Sequence, residues 1–207
     1  MKICLYDSGI GAISFLKTVL KENIGNDYYL FIDDENFPYG EKSDRELLSI
    51  LRKNIAQIEC GKYDYLLICC NTMSRIFLEN PIPVGMKVRT ILEYNLRNIR
   101  ERKLLATTSL SRSISPSVDG KNLAEYIEKG RIKKILEAIA RIPSPIVLGC
   151  THYQFLEPLL DYYRVDYRSN EAAIFSGIET TDGIRIFARE KNFKVVKKFI
   201  KSDIKIY

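Results

Sequence analysis

The stretch Pro145-Ile-Val-Leu-Gly-Cys-Thr-His-Tyr153 is a short apolar run that stops at a glycine, a thiol, a hydroxyl and an imidazole. Apolar runs of this length read as strands buried on both faces, as in parallel sheets. His152 is the only histidine among 207 residues, and it stands two positions from Cys150. A parallel phrase occurs earlier, Tyr65-Leu-Leu-Ile-Cys-Cys70-Asn71-Thr72. Two strand ends, each with a cysteine and polar companions, point to one site built twice.

The flanking sequence alternates strand and helix patterns. Lys2 to Tyr6 reads as a buried strand, followed by Asp7-Ser-Gly-Ile-Gly11 and an apolar-periodic helix to about Glu22. Glycines at such a turn let backbone approach a ligand, and the helix start offers free N–H groups. The pattern lacks the third glycine of a dinucleotide fingerprint. Tyr28 to Ile32 reads as a second strand and Asp33 to Gly40 as a loop. Ser43-Asp-Arg-Glu46 is a capping box, predicting a helix to about Cys60. A strand ending at Cys70, a helix through Leu78 and a strand near residues 83–86 complete a first α/β unit.

An amphipathic helix from Thr90 to Arg100 leads to a strand at Lys103–Thr107 and a polar loop from Ser109 to Gly120. Helices near residues 122–129 and 131–141 precede the strand ending at Cys150. A helix at 154–162, a strand at 165–167 and a helix at 171–179 follow, and a strand and basic helix close the chain after Gly183. The expected architecture is two similar α/β domains with parallel-type sheets facing each other across a cleft. The first comprises residues 1–92 plus 183–207 and carries Asp7 and Cys70. The second comprises residues 93–182 and carries Cys150 and His152. Ligands of open α/β sheets bind beyond the carboxyl ends of the strands, where these polar clusters lie.

Composition narrows the function. With 46% hydrophobic and 28% charged residues the chain has the make-up of a globular protein. No apolar run approaches the ~20 residues that span a bilayer, and Met1-Lys-Ile-Cys-Leu-Tyr-Asp7 enters directly into a strand pattern, so no signal peptide and a cytoplasmic location are expected. Five cysteines at no framework spacing suit a reducing compartment. With no C-x-x-C pair and one histidine, a zinc site is not expected. The net charge of +6 is strewn over helices and reads as solvated faces, which argues against nucleic acid as a partner.

A cysteine at a strand-to-helix junction has its thiolate favoured by the helix N-terminus. Its ordinary pKa is about 8.5, so neighbours matter; Asp7 is the expected partner of Cys70, and His152 that of Cys150. Two thiols facing each other across a cleft can take a proton from one face of a carbon and deliver one to the other, inverting a stereocentre. Plainer readings exist for each residue. Cys4, Cys60 and Cys69 read as small buried hydrophobes, Asn71-Thr72 as a helix cap, His152 as a core histidine and Asp7-Ser8 as a turn. For the site residues these would all have to hold at once, at corresponding strand ends.

The chain resembles the glutamate racemases of the cofactor-independent aspartate/glutamate racemase superfamily. The matching phrases are Asp7-Ser-Gly-Ile-Gly11, Asn36-Phe-Pro-Tyr-Gly-Glu-Lys-Ser43, Cys70-Asn-Thr72, Leu148-Gly-Cys-Thr-His-Tyr153 and Thr181-Asp-Gly183. The resemblance implies that Cys70 and Cys150 are the paired acid/base residues and that Asp7 and His152 assist them. It implies that Ser8, Tyr39, Gly40, Asn71, Thr72, Thr107 and Thr151, with Asp7 and His152, hold the substrate. Glu128 is implied as an acid/base helper. It further implies no cofactor and no metal, glutamate as the small-molecule substrate, a homodimer as the candidate assembly, and D-glutamate supplied to peptidoglycan in a bacterial cytoplasm. The alternatives are a racemase for another small amino acid such as aspartate, or a catalytically silent amino-acid-binding homologue. Ala12 and Ala106 replace family glycines, Leu110 stands in the place of a family threonine that helps bind substrate, and the chain is shorter than usual between Thr107 and Ile146.

Overall fold

The computed structural model describes residues 1–201 and 203–206. Its elements, in chain order, are β1 (Lys2–Asp7), α1 (Ala12–Lys21), β2 (Asn26–Ile32), α2 (Asp44–Glu59), β3 (Tyr65–Ile68), α3 (Asn71–Glu79), β4 (Lys87–Thr90), α4 (Ile91–Leu96), β5 (Lys103–Ala106), α5 (Thr108–Ser111), β6 (Ser117–Asp119), α6 (Leu123–Glu128), α7 (Ile132–Ile139), β7 (Ile146–Gly149), α8 (Glu157–Tyr162), β8 (Tyr167–Arg168), β9 (Ile184–Ala188), α9 (Glu190–Phe199) and β10 (Ile204–Ile206). They build two sheets. One has six strands in the order β10-β9-β2-β1-β3-β4, the other four in the order β6-β5-β7-β8. Every pairing is parallel. The α/β class with parallel sheets is therefore as expected.

The apolar runs explain the layering. β1, β3 and β7 are buried along nearly their whole length, because helices cover both faces of each sheet. Alternate residues of β1 feed two separate cores. Ile3 and Leu5 face a cluster with α1, and Cys4 and Tyr6 face one with α2 and α3. Two smaller clusters sandwich the second sheet, one of them built on α6 and α7. The capping box holds: the Glu46 N–H donates to Ser43 Oγ, and the Ser43 N–H donates to Glu46 Oε2.

Several expectations need correction. The strand placed at residues 83–86 forms instead at Lys87–Thr90, beyond the prolines that cannot donate to a ladder. The stretch 109–120 is not all loop; it holds α5 and the edge strand β6, whose three residues are too few for a period to show. The helix placed at 171–179 is a 3₁₀ segment ending at Phe175, and α8 begins only after a 3₁₀ run from Thr151 to Leu156. A tenth strand follows the basic helix. Cys60 is exposed at the end of α2 and is not a core residue, whereas Cys4 and Cys69 are buried. Of the span assigned to the first unit, Ser202 and Tyr207 lie outside the described residues.

Topology locates the site. In the first sheet the chain leaves β1 toward β2 on one side and reaches β3 on the other; in the second, β5 leads to β6 and β7 to β8 on opposite sides. Each reversal opens a crevice at the carboxyl ends of its central strands. Ser8 and Cys70 follow β1 and β3; Thr107 and Cys150 follow β5 and β7.

Candidate active site

The two crevices face one another and share one cavity of about 30 Å³, lined from the first sheet by Ser8, Tyr39, Gly40, Cys70, Asn71 and Thr72. Thr107, Cys150, Thr151 and His152 line it from the second. A volume of that size holds one or two waters. Close contacts seal the seam. The Thr72 and Thr107 hydroxyls lie 2.9 Å apart across it. A β-carbon on Gly40 would stand 2.6 Å from Thr107 Cβ, and one on Gly11 only 2.0 Å from Thr151 Oγ1. Both glycines let backbone beside the first sheet meet threonines that follow strands of the second.

Cys70 is the N-cap residue of α3, and Ser8 Oγ lies 3.9 Å from its sulfur. Burial pushes the Cys70 thiol well above its ordinary pKa, and the nearby Asp7 and Cys150 add to this, while the Met73 N–H and Ser8 hydroxyl work the other way. Asp7 is fully buried. Its Oδ1 accepts the Ser8 N–H. Burial raises the Asp7 carboxyl to about 6, against the pull of His152, the Ser8 N–H and Thr151.

On the opposite wall the Cys150 sulfur lies 3.8 Å from His152 Nδ1, and the far ring nitrogen, Nε2, lies 2.6 Å from Glu128 Oε2. Burial by itself disfavours a charged His152, but the bonds to Cys150 and Glu128 override it and lift the imidazole to about 10. Such a group is an imidazolium at neutral pH, a cation beside a sulfur. The same Glu128 oxygen accepts the Ile10 N–H at 3.4 Å, so α6 reaches across to the turn after β1. Phe37 packs on the imidazole with centroids 5.2 Å apart.

Asp7, Ser8, Cys70, Cys150, Thr151, His152 and Glu128 thus come together around the two sulfurs. Tyr39 is different in detail: its hydroxyl donates to Asp33 Oδ2 at 2.5 Å and also meets the Tyr6 hydroxyl, while Asn54 donates to the same Asp33 oxygen. The phenol is committed behind the site, leaving the Tyr39-Gly40 backbone for the cavity. Leu110 is fully buried among Leu92, Leu104, Ala106 and Val147, and does not line the cavity. Lys121, Asn122 and Glu125 do line it. They lie on the α6 approach of the shortened region, in a polar stretch with no distinguishing motif.

Two parallel α/β sheets whose reversal points oppose one another, each with a cysteine after a central strand, define the aspartate/glutamate racemase fold. A solved glutamate racemase from Thermus thermophilus, in complex with beta-chloro-D-alanine, superposes with a TM-score of 0.75 at 17% identity over 100% of this chain and 95% of its own. Another, from Francisella tularensis in complex with D-glutamate, gives 0.72 at 15% identity over 99% and 95%. No family model matches the sequence. A curated glutamate racemase from Leptospira borgpetersenii is 31% identical over 189 residues, 77% of this chain and 73% of the relative. The chain belongs to the glutamate racemase family, a family of isomerases. Among the described residues no helix is long and apolar enough to cross a membrane.

Proposed function

We propose that the protein racemises glutamate, without a cofactor, by two-base proton transfer at Cα. The observation that carries this reading is that Cys70 and Cys150, from different sheets, line the same cavity. A thiolate on one wall removes the Cα proton; the thiol on the other wall gives its proton to the opposite face, and the two sulfurs exchange protonation states. Positioned acids and bases contribute ~10²–10⁴-fold in ordinary cases. The imidazolium of His152 faces the Cys150 sulfur, and burial favours the protonated thiol at Cys70. Asp7 and Ser8 serve Cys70. Asn71, Thr72, Thr107, Thr151 and the Tyr39-Gly40 backbone hold the ammonium and carboxylates, and Glu128 holds His152.

We further infer a two-domain division, with residues 1–92 and 183–207 around the first sheet and 93–182 around the second, in a cytoplasmic bacterial enzyme supplying D-glutamate to peptidoglycan. The Francisella relative's bound D-glutamate supports glutamate over aspartate. The test is solvent exchange: in D₂O, L- or D-glutamate should lose optical activity and gain deuterium at Cα. Cys70→Ser and Cys150→Ser should each lower turnover by at least ~10²-fold. Full activity in both variants refutes the mechanism; glutamate binding without Cα exchange refutes the racemase reading.

A further inference from the structure

Four asparagines and one arginine form a chain of hydrogen bonds from the surface to the cavity. At the outer end Arg168 on β8 donates to Asn98 Oδ1 at 3.1 Å. Asn98 Nδ2 donates to Asn170 Oδ1 at 3.2 Å, and Asn170 Nδ2 donates to Asn95 Oδ1 at 2.8 Å. Asn95 Nδ2 donates to Asn71 Oδ1 at 2.8 Å and to the Leu148 carbonyl at 3.3 Å. Asn95 and Asn71 are almost wholly buried, and Asn71 lines the cavity directly after Cys70.

The direction of the chain is fixed by groups that can play only one role. A guanidinium only donates, so Asn98 must turn its oxygen to Arg168. The Leu148 carbonyl only accepts, so Asn95 must turn its nitrogen toward β7. The Tyr94 carbonyl likewise accepts from Asn98 Nδ2. Every amide then points the same way, and Asn71 is left with its oxygen occupied. Its nitrogen has no partner among the described residues. A donor-to-acceptor run of amides with a cation at its outer end polarises each member in turn, strengthening the last donor.

We propose that Asn95 is a positioning residue for the reaction: it turns the Asn71 NH₂ into the cavity as a donor for an anionic group of the substrate, a carboxylate. It acts only through Asn71. Because α4 links the two sheets, the same amide ties the residue after Cys70 to the strand that ends at Cys150. The identity of the anion rests on the racemase reading above; the orientation of Asn71 does not.

The discriminating variants are Asn95→Asp and Asn95→Ala. An aspartate can still accept from Asn170, but it has no hydrogen for Leu148 or Asn71, so Asn71 must roll over and turn its oxygen to the substrate. An alanine leaves Asn71 free to choose. Glutamate KM should therefore rise ~10–100-fold for Asn95→Asp, the weight of one hydrogen bond to a charged group, and distinctly less for Asn95→Ala, with kcat moving less than KM. Equal KM values in the two variants overturn the proposal. A second measurement needs no substitution and no substrate. In the unsubstituted protein, side-chain amide exchange by NMR should find the Asn95 NH₂ protected and the Asn71 NH₂ exchanging through the cavity, and the reverse order overturns the proposal even if a variant fails to fold. If the unsubstituted protein does not racemise glutamate while the exchange order holds, the substrate reading falls and the positioning of Asn71 stands.

Discussion

Replacing Asp7 by asparagine should make the protein more stable and less active, by an amount that depends on pH. The carboxyl is fully buried and its pKa is raised from 3.8 to about 6, with burial the leading cause. A folded-state value above the unfolded one means that the native state holds the proton longer. Stability is therefore lost as pH rises from the unfolded value through about 6, and the whole cost is present above that. At 1.36 kcal/mol per unit, the difference corresponds to about 3 kcal/mol. Asparagine keeps the shape, its oxygen can accept the Ser8 N–H, and its NH₂ can donate to Thr151 Oγ1, so the charge is the main thing removed. The assay is urea denaturation of both proteins from pH 4 to pH 8. The variant should be about 3 kcal/mol more stable at pH 8, with the gap closing as pH falls toward 4. In a chain of this size that is worth a few degrees of melting temperature per kcal/mol. Racemisation by the variant should fall if, as proposed, Asp7 serves Cys70. A gap independent of pH, or a variant less stable at pH 8, would refute the claim that a buried carboxylate is held here at a cost to the fold.

Gly11→Ala should destabilise the protein by about 1–3 kcal/mol, the usual cost of overpacking, because its new carbon would stand 2.0 Å from Thr151 Oγ1; thermal melting checks this, and substrate affinity should fall with it. Leu110→Thr, which restores the residue type expected of the family at that place, should not improve glutamate binding. The side chain lies in an apolar cluster, so the change should cost about 1–3 kcal/mol for a buried hydroxyl short of partners, read by urea denaturation alongside KM.

Much of the site was legible because its chemistry sits at strand ends. β3 and β7 are apolar to the last residue, and the switch from apolar to thiol and hydroxyl marks where the backbone leaves the sheet. The capping box located α2 in the same way, through a side chain that bonds backbone three residues on. What sequence did not disclose are contacts between distant segments. Asn71, Asn95, Asn98 and Asn170 have no common spacing, and Asn54 sits on a helix face that otherwise reads as core. Leu110 lies in an apolar cluster away from the cavity, a placement that its position along the chain does not disclose. The short edge strands β6 and β10 were missed because three residues cannot display a period.

The order of strands bears on how the chain is made. The four-stranded sheet is contiguous in sequence, from Lys103 to Arg168, and can close as soon as that stretch has emerged. The six-stranded sheet cannot: the partner of β2 on its outer side is β9, more than 150 residues later. During synthesis the earlier strands therefore wait with β2 as an open edge, a surface that invites wrong pairing. A later segment completes an earlier sheet, so a ribosome that stalls or a protease that trims before Ile184 leaves the Cys150 wall assembled and the sheet that carries Cys70 with an unpaired flank.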